Sequence, residues 1–213
     1  MAYDLIAYLR DKFPALALGG ALFYNWPVGI RFDLGGRALT TEDFAEVKRR
    51  ATALFEAIFI PGDTCIVVSQ DWPDSDAPNH GQNHLSMLSD FAINQAVGLR
   101  QSSGCIRIQE VDDNETSSYT LTWFEQSSRD FQYGSILAGI ANADHARFPA
   151  LCGRVYFVNP RTNVIMHMYD DRGLDIIAKT KPTLTPLYRN FNSWVLDYDR
   201  NRIDALFGNE RIG

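Results

Sequence analysis

Lysine is scarce in this chain. Four occur in 213 residues, Lys12, Lys48, Lys179 and Lys181, and they are scattered. With 26 acidic against 20 basic side chains the net charge is -6. A broad surface for nucleic acid or an anionic membrane needs clustered Lys and Arg, so both are excluded as expected partners. Cysteine is scarce too. Cys65, Cys105 and Cys152 are odd in number, far apart and form no C-x-x-C pair. They read as buried free thiols in a reducing compartment, not as a disulfide framework. No run approaches the ~20 apolar residues of a membrane span, and no basic stretch followed by an apolar one opens the chain. The expected location is the cytoplasm. Gly-x-Ser-x-Gly, a phosphate loop ending in Gly-Lys-Ser/Thr and Gly-x-Gly-x-x-Gly are all missing, and no cofactor is expected. Each Cys lacks a nearby His, so thiolate activation has no support.

What is present is an ordinary globular mix, 46% hydrophobic and 22% charged. A chain of this size buries roughly 70% of its unfolded surface, enough for one unstapled domain over residues 1–213. The spacing of Leu5, Ile6, Leu9, Phe13 and Leu16 predicts a helix broken near Pro14. Val28 to Leu34 reads as a strand with Ile30, Phe32 and Leu34 on one side, Arg31 and Asp33 on the other. Thr41 to Phe59 is the clearest helix: threonine caps it, Glu42 and Asp43 suit its first turn, and Pro61-Gly62 stops it. Thr64 to Gln70, Cys105 to Val111, Tyr119 to Phe124, Val155 to Val158, Val164 to Tyr169 and Leu174 to Ala178 read as strands, and Leu85 to Leu99 and Tyr133 to Ala143 as helices. Leu184 to Phe207 reads as helical, with a break near Trp194 to Asp197. Hairpin neighbours of this kind predict an α+β domain, a largely antiparallel sheet flanked by helices.

The densest chemistry is His167-Met168-Tyr169-Asp170-Asp171-Arg172-Gly173-Leu174-Asp175. Alternation places Ile165, His167, Tyr169 and Asp171 on one face. Convergence of Asp170, Asp171 and Asp175 at the turn would create a place for a hard cation or a guanidinium. The plainer reading is a turn in which Asp accepts backbone N–H bonds, Arg172 pairs with a carboxylate and Gly173 supplies a positive φ. Arg31 and Asp33, further candidates, share the outward face of their strand and could face a partner across the sheet, otherwise reading as solvated ladder residues. Asp71, Asp74, Asp76, His80 and His84 offer metal-ligand chemistry in a loop, although Gly81 falls between the two imidazoles and the Glu of a zinc-protease helix is missing.

Three segments carry a resemblance: Leu22-Phe23-Tyr24-Asn25-Trp26 with Ile30-Arg31-Phe32-Asp33-Leu34, then Met168-Tyr169-Asp170-Asp171-Arg172-Gly173-Leu174-Asp175, then Trp194 to Arg200. Together they resemble a bacterial domain family of unassigned function, marked by its Tyr-Asp-Asp-Arg-Gly segment and covering nearly the whole chain. The resemblance implies a single domain and brings no activity, substrate or cofactor. Families of this kind occur among bacterial immunity and toxin-associated proteins. With no assembled catalytic motif and an acidic balance, the expectation is a non-catalytic protein-binding module, an immunity protein that captures a basic toxin domain. The alternative is a metal-assisted hydrolase or nucleotide-handling enzyme in which Asp170, Asp171, Asp175 and His167 hold the ion.

Overall fold

A computed structural model describes residues 3–19, 21–36, 40–71, 104–112, 115–130, 132–145, 147–151 and 153–208. Asp74, Asp76, His80, His84 and the helix expected over Leu85 to Leu99 lie outside them. In chain order the described elements are α1 (Leu5–Lys12), α2 (Leu22–Asn25), β1 (Gly29–Asp33), α3 (Thr41–Ile58), β2 (Thr64–Asp71), β3 (Gly104–Asp112), β4 (Glu115–Ser127), α4 (Tyr133–Asn142), β5 (Arg154–Asn159), β6 (Val164–Met168), β7 (Gly173–Ala178), α5 (Lys181–Asn190) and α6 (Arg200–Phe207). Short 3-10 turns occupy Ala143–His145, Asn192–Trp194 and Asp197–Asp199.

Local chemistry sets these boundaries. Thr40 Oγ1 accepts the Asp43 N–H at 3.1 Å while the Asp43 carboxylate accepts the Thr40 N–H at 3.1 Å, a reciprocal cap that starts α3. Val47, Ala51, Leu54, Phe55 and Ile58 then recur at helical spacing and are buried. The hairpin between β5 and β6 turns on Asn159, whose side chain accepts the N–H groups of Arg161 and Thr162, and on Asn163, with φ of 52°.

The seven strands form one sheet in the order β1-β7-β6-β5-β2-β4-β3, and every neighbouring pair is antiparallel. The fold is α+β. Alternation sends Ile30, Phe32, Cys65, Val67, Phe157, Met166, Met168, Leu174 and Ile176 to a face covered by α3, α4, α5 and α6. The opposite set, Ile66, Val68, Tyr156, Val158, Ile165 and Ile177, packs under Leu5, Phe13, Leu18 and Leu22 from the N-terminal segment. Both faces are therefore covered, and the sheet is the middle of three layers. Cys65 lies in the first core, and burial raises its thiol well above its ordinary value, as expected of an inert structural cysteine.

Strand β1 is the last of its side of the sheet. Its outer edge is met by the chain's own tail: Phe32 bridges to Val195, and Leu196 N–H donates to Arg31 O at 2.9 Å. Among the described residues no helix is long and apolar enough to cross a membrane.

Candidate functional site

Arg31 on β1 faces Asp175 on β7 directly across the ladder. Its Nε donates to Asp175 Oδ1 at 2.7 Å and its Nη2 to Oδ2 at 2.9 Å, a two-point pair with a carboxylate that is 0% exposed. The Phe23 N–H at the start of α2 completes Asp175 at 3.1 Å. Burial opposes the Arg31 charge, but the Asp175 hydrogen bonds outweigh it and hold Arg31 above its ordinary value. The guanidinium lies 4.6 Å from the Tyr24 ring centre, 5.3 Å from Tyr169 and 5.5 Å from Phe23, each within cation–π range. Arg202 reaches in from α6, 4.5 Å over Phe23. The Tyr24 hydroxyl donates to Asp199 at 3.0 Å, and Arg31 Nη1 stands 3.7 Å from the same carboxylate. This hub joins β1, β7, α2 and the turn at Asp197–Asp199.

The expectation that Arg31 and Asp33 are solvated ladder residues is overturned. Their side of β1 is the second covered face, and only 11% of the Arg31 side chain is exposed. Asp33 turns back at the strand end, accepting the Gly35 N–H at 2.7 Å, where Gly35 adopts φ of 87°.

The bend after β6 also departs from a convergent three-aspartate site. Asp170 accepts the Arg172 and Gly173 N–H groups at 2.8 and 3.3 Å and the Arg172 guanidinium through Nε at 2.8 Å and through Nη2. That is the self-compensated turn. Asp171 goes to the helical side of the sheet, opposite to the face of His167 and Tyr169, because the turn breaks the strand alternation. There its Oδ2 lies 3.0 Å from His145 Nε2. Carboxylate oxygens of Asp144, Asp170 and Asp171 fall within 4.8 Å of one another, with Arg172 already among them. Asp175 and His167 lie on the other face, so the four residues of the expected ion site are divided between two places. Gly173 does not have a positive φ. Glycine is required there by close approach, since a Cβ would lie 2.8 Å from Phe32 O and would press on the Tyr169 hydroxyl.

His167 is 1% exposed, stacked at 4.5 Å on Tyr156, with Nδ1 3.1 Å from Val155 O. Burial holds its imidazole down to about 4, so it is neutral at pH 7. Tyr169 is pushed up by burial. Asp71, at the end of β2, accepts the Ser69 hydroxyl at 3.0 Å.

Sequence reasoning missed Tyr24, Tyr198, Asp199 and Arg202. Tyr24 is 46% exposed and Tyr198 is 87% exposed, two of the four large exposed apolar side chains among the described residues. Tyr24 is hydrogen-bonded to Asp199, the residue after Tyr198, at the rim of the Arg31 hub. The available signal was the Tyr-Asn-Trp and Asp-Tyr-Asp segments that carry the resemblance.

The chain shows similarity to "Uncharacterized protein YnaE" of Bacillus subtilis (strain 168), 24% identical over 214 residues, which span 92% of this chain and 98% of that protein. No solved structure matches it. A family model described as "Domain of unknown function (DUF3885)" matches residues 5–199, reaching from α1 through the Arg31 hub to Asp199. The chain belongs to that family.

Proposed function

We propose that this chain is a non-catalytic protein-binding module whose contact surface is the rim formed by Tyr24, Tyr198 and Arg202. One observation carries the reading. Tyr24 is 46% exposed, yet its ring rests on the Arg31 guanidinium at 4.6 Å and its hydroxyl is fixed to Asp199 at 3.0 Å. An exposed aromatic held in one position loses little freedom on binding, which is how anchor residues contribute affinity. Tyr and Arg are also the residue types that dominate such anchors. The Arg31–Asp175 pair beneath serves as the rigid base, and the charges at the bend are taken up in internal pairs that leave the aromatic rim facing outward.

The net charge of -6 favours a basic partner by electrostatic steering. A basic toxin domain has this chemistry, and the module would then be its immunity protein. Co-expression with the product of the neighbouring gene, followed by co-purification and calorimetric titration, tests the reading. The expected result is a stable complex that Tyr24→Ala or Tyr198→Ala weakens by about 30-fold, the effect of losing ~2 kcal/mol at an anchor. Failure of that product to co-purify, or unchanged affinity in both variants, would refute it.

A further inference from the structure

One row of side chains crosses the N-terminal face of the sheet. Arg31 on β1 stands opposite Asp175 on β7, Asp175 opposite His167 on β6, and His167 opposite Tyr156 on β5. The segment above is fastened beside His167. Phe23 N–H donates to Asp175 at 3.1 Å, while the Tyr156 hydroxyl donates to Gln70 Oε1 at 2.7 Å and lies 3.4 Å from Gly19 O. Trp26 Nε1–H adds a bond to Ala178 O at 2.7 Å.

Within this row the state of His167 follows from its partners. Val155 O can only accept, so Nδ1 carries the proton and Nε2 presents a lone pair. That Nε2 is buried and meets no hydrogen-bond partner among the described residues. The charged and titratable groups facing the ring are Asp175 on β7, Arg31 on β1, Arg154 and Tyr156 on β5, and Tyr169 just beyond β6. From α2 the row receives the Phe23 N–H on Asp175 and the Phe23 and Tyr24 rings over Arg31.

We propose that His167 makes the seating of α2 sensitive to acid. A proton added at Nε2 creates a buried donor that needs an acceptor, and the carboxylate set opposite it is Asp175. Both Asp175 oxygens already serve Arg31, and Oδ2 also holds Phe23 N–H. With those claims on Asp175 and burial opposing the charge, an imidazolium is better served by water, which reaches Nε2 only when the segment above it lifts. The first turn of α2 is thereby released.

The size of the effect follows from linkage. The closed state binds the proton at about 4, whereas a solvated imidazole binds it at 6.5. The open state therefore holds more protons at pH 5, and stability of the closed state falls as pH drops below 6.5. With those two values the open population rises about 20-fold between pH 7 and pH 5.

Hydrogen exchange of the Leu22–Asn25 amides in the full chain, corrected for intrinsic rates, reads this directly. Protection in the parent chain should fall by about 20-fold from pH 7 to pH 5. In His167→Phe, which keeps an aromatic ring against Tyr156 but takes no proton, it should stay flat. His167→Gln, closer to histidine in polarity, should also stay flat and gives an independent reading. His145→Asn, on the opposite face, should behave as the parent. Equal protection at both pH values in the parent, or an equal loss in both His167 variants, would overturn the proposal. The readout needs no binding partner, so its outcome is separate from the fate of the Tyr24 surface.

Discussion

The Arg31–Asp175 pair allows a sharp test of what holds β1 and α2 to the sheet. Replacing Arg31 by Met keeps the apolar stem but removes the guanidinium from a carboxylate that is 0% exposed. Asp175 then keeps the neutral Phe23 N–H as a donor. Breaking a buried pair from one side typically costs about 3–5 kcal/mol. For a chain of this length each kcal/mol lowers the melting temperature by about 2–4 °C, so ~4 kcal/mol corresponds to a fall of roughly 8–16 °C. Asp175→Leu should cost somewhat less, about 2–4 kcal/mol, because Arg31 retains Asp199 at 3.7 Å and the Tyr24 and Tyr169 rings. The double variant Arg31→Met/Asp175→Leu removes both charges and leaves an apolar contact. It should be more stable than Arg31→Met alone, with a coupling of about 2–4 kcal/mol in the cycle. Urea unfolding followed by circular dichroism measures all four proteins. Additive losses in the double variant, or losses below about 1 kcal/mol in both singles, would show that the pair is solvated and that the hub is not the base of the rim.

Two other outcomes follow from local geometry. Gly173→Ala should lower stability by about 2 kcal/mol, measured in the same urea assay, because the backbone oxygen of Phe32 cannot yield to a methyl 2.8 Å away. Glu46 accepts Arg49 and Arg50, each at 2.7 Å, and those hydrogen bonds pull its carboxyl down to about 2 from 4.5. Its contribution to stability is therefore present above pH 4.5 and is lost as pH falls through about 2. Carbon-detected NMR titration should place the Glu46 midpoint near 2 in the parent chain and nearer 4.5 in Arg49→Ala/Arg50→Ala. A midpoint that does not move would contradict the pairing.

Much of the fold was legible because its signals are local. The α3 helix announces itself through Thr40, Asp43 and the Val47-to-Ile58 stripe, and the β5-to-β7 meander through alternation around Asn159 and Asn163. The site was less so, since alternation says which residues share a face but not whether that face is covered. Arg31 was read as exposed on that account. A clue was present: β5, β6 and β7 are apolar on both faces almost throughout, as in strands buried on two sides, and this makes Arg31 and Asp175 buried polar residues that require each other. Their separation of 144 positions hid the pairing from any local reading. Asp171 was misassigned because the strand period stops at Met168, and α2 was missed because four residues are too few for a helical period to show.

The tail that lies along β1 has a consequence for how any other molecule can meet this side of the sheet. With Leu196 N–H already satisfying Arg31 O, the border strand does not offer its main chain at that position as a template for a further strand. Recognition there must go through side-chain shape and charge, a vocabulary that varies with every substitution, whereas backbone pairing is nearly indifferent to sequence.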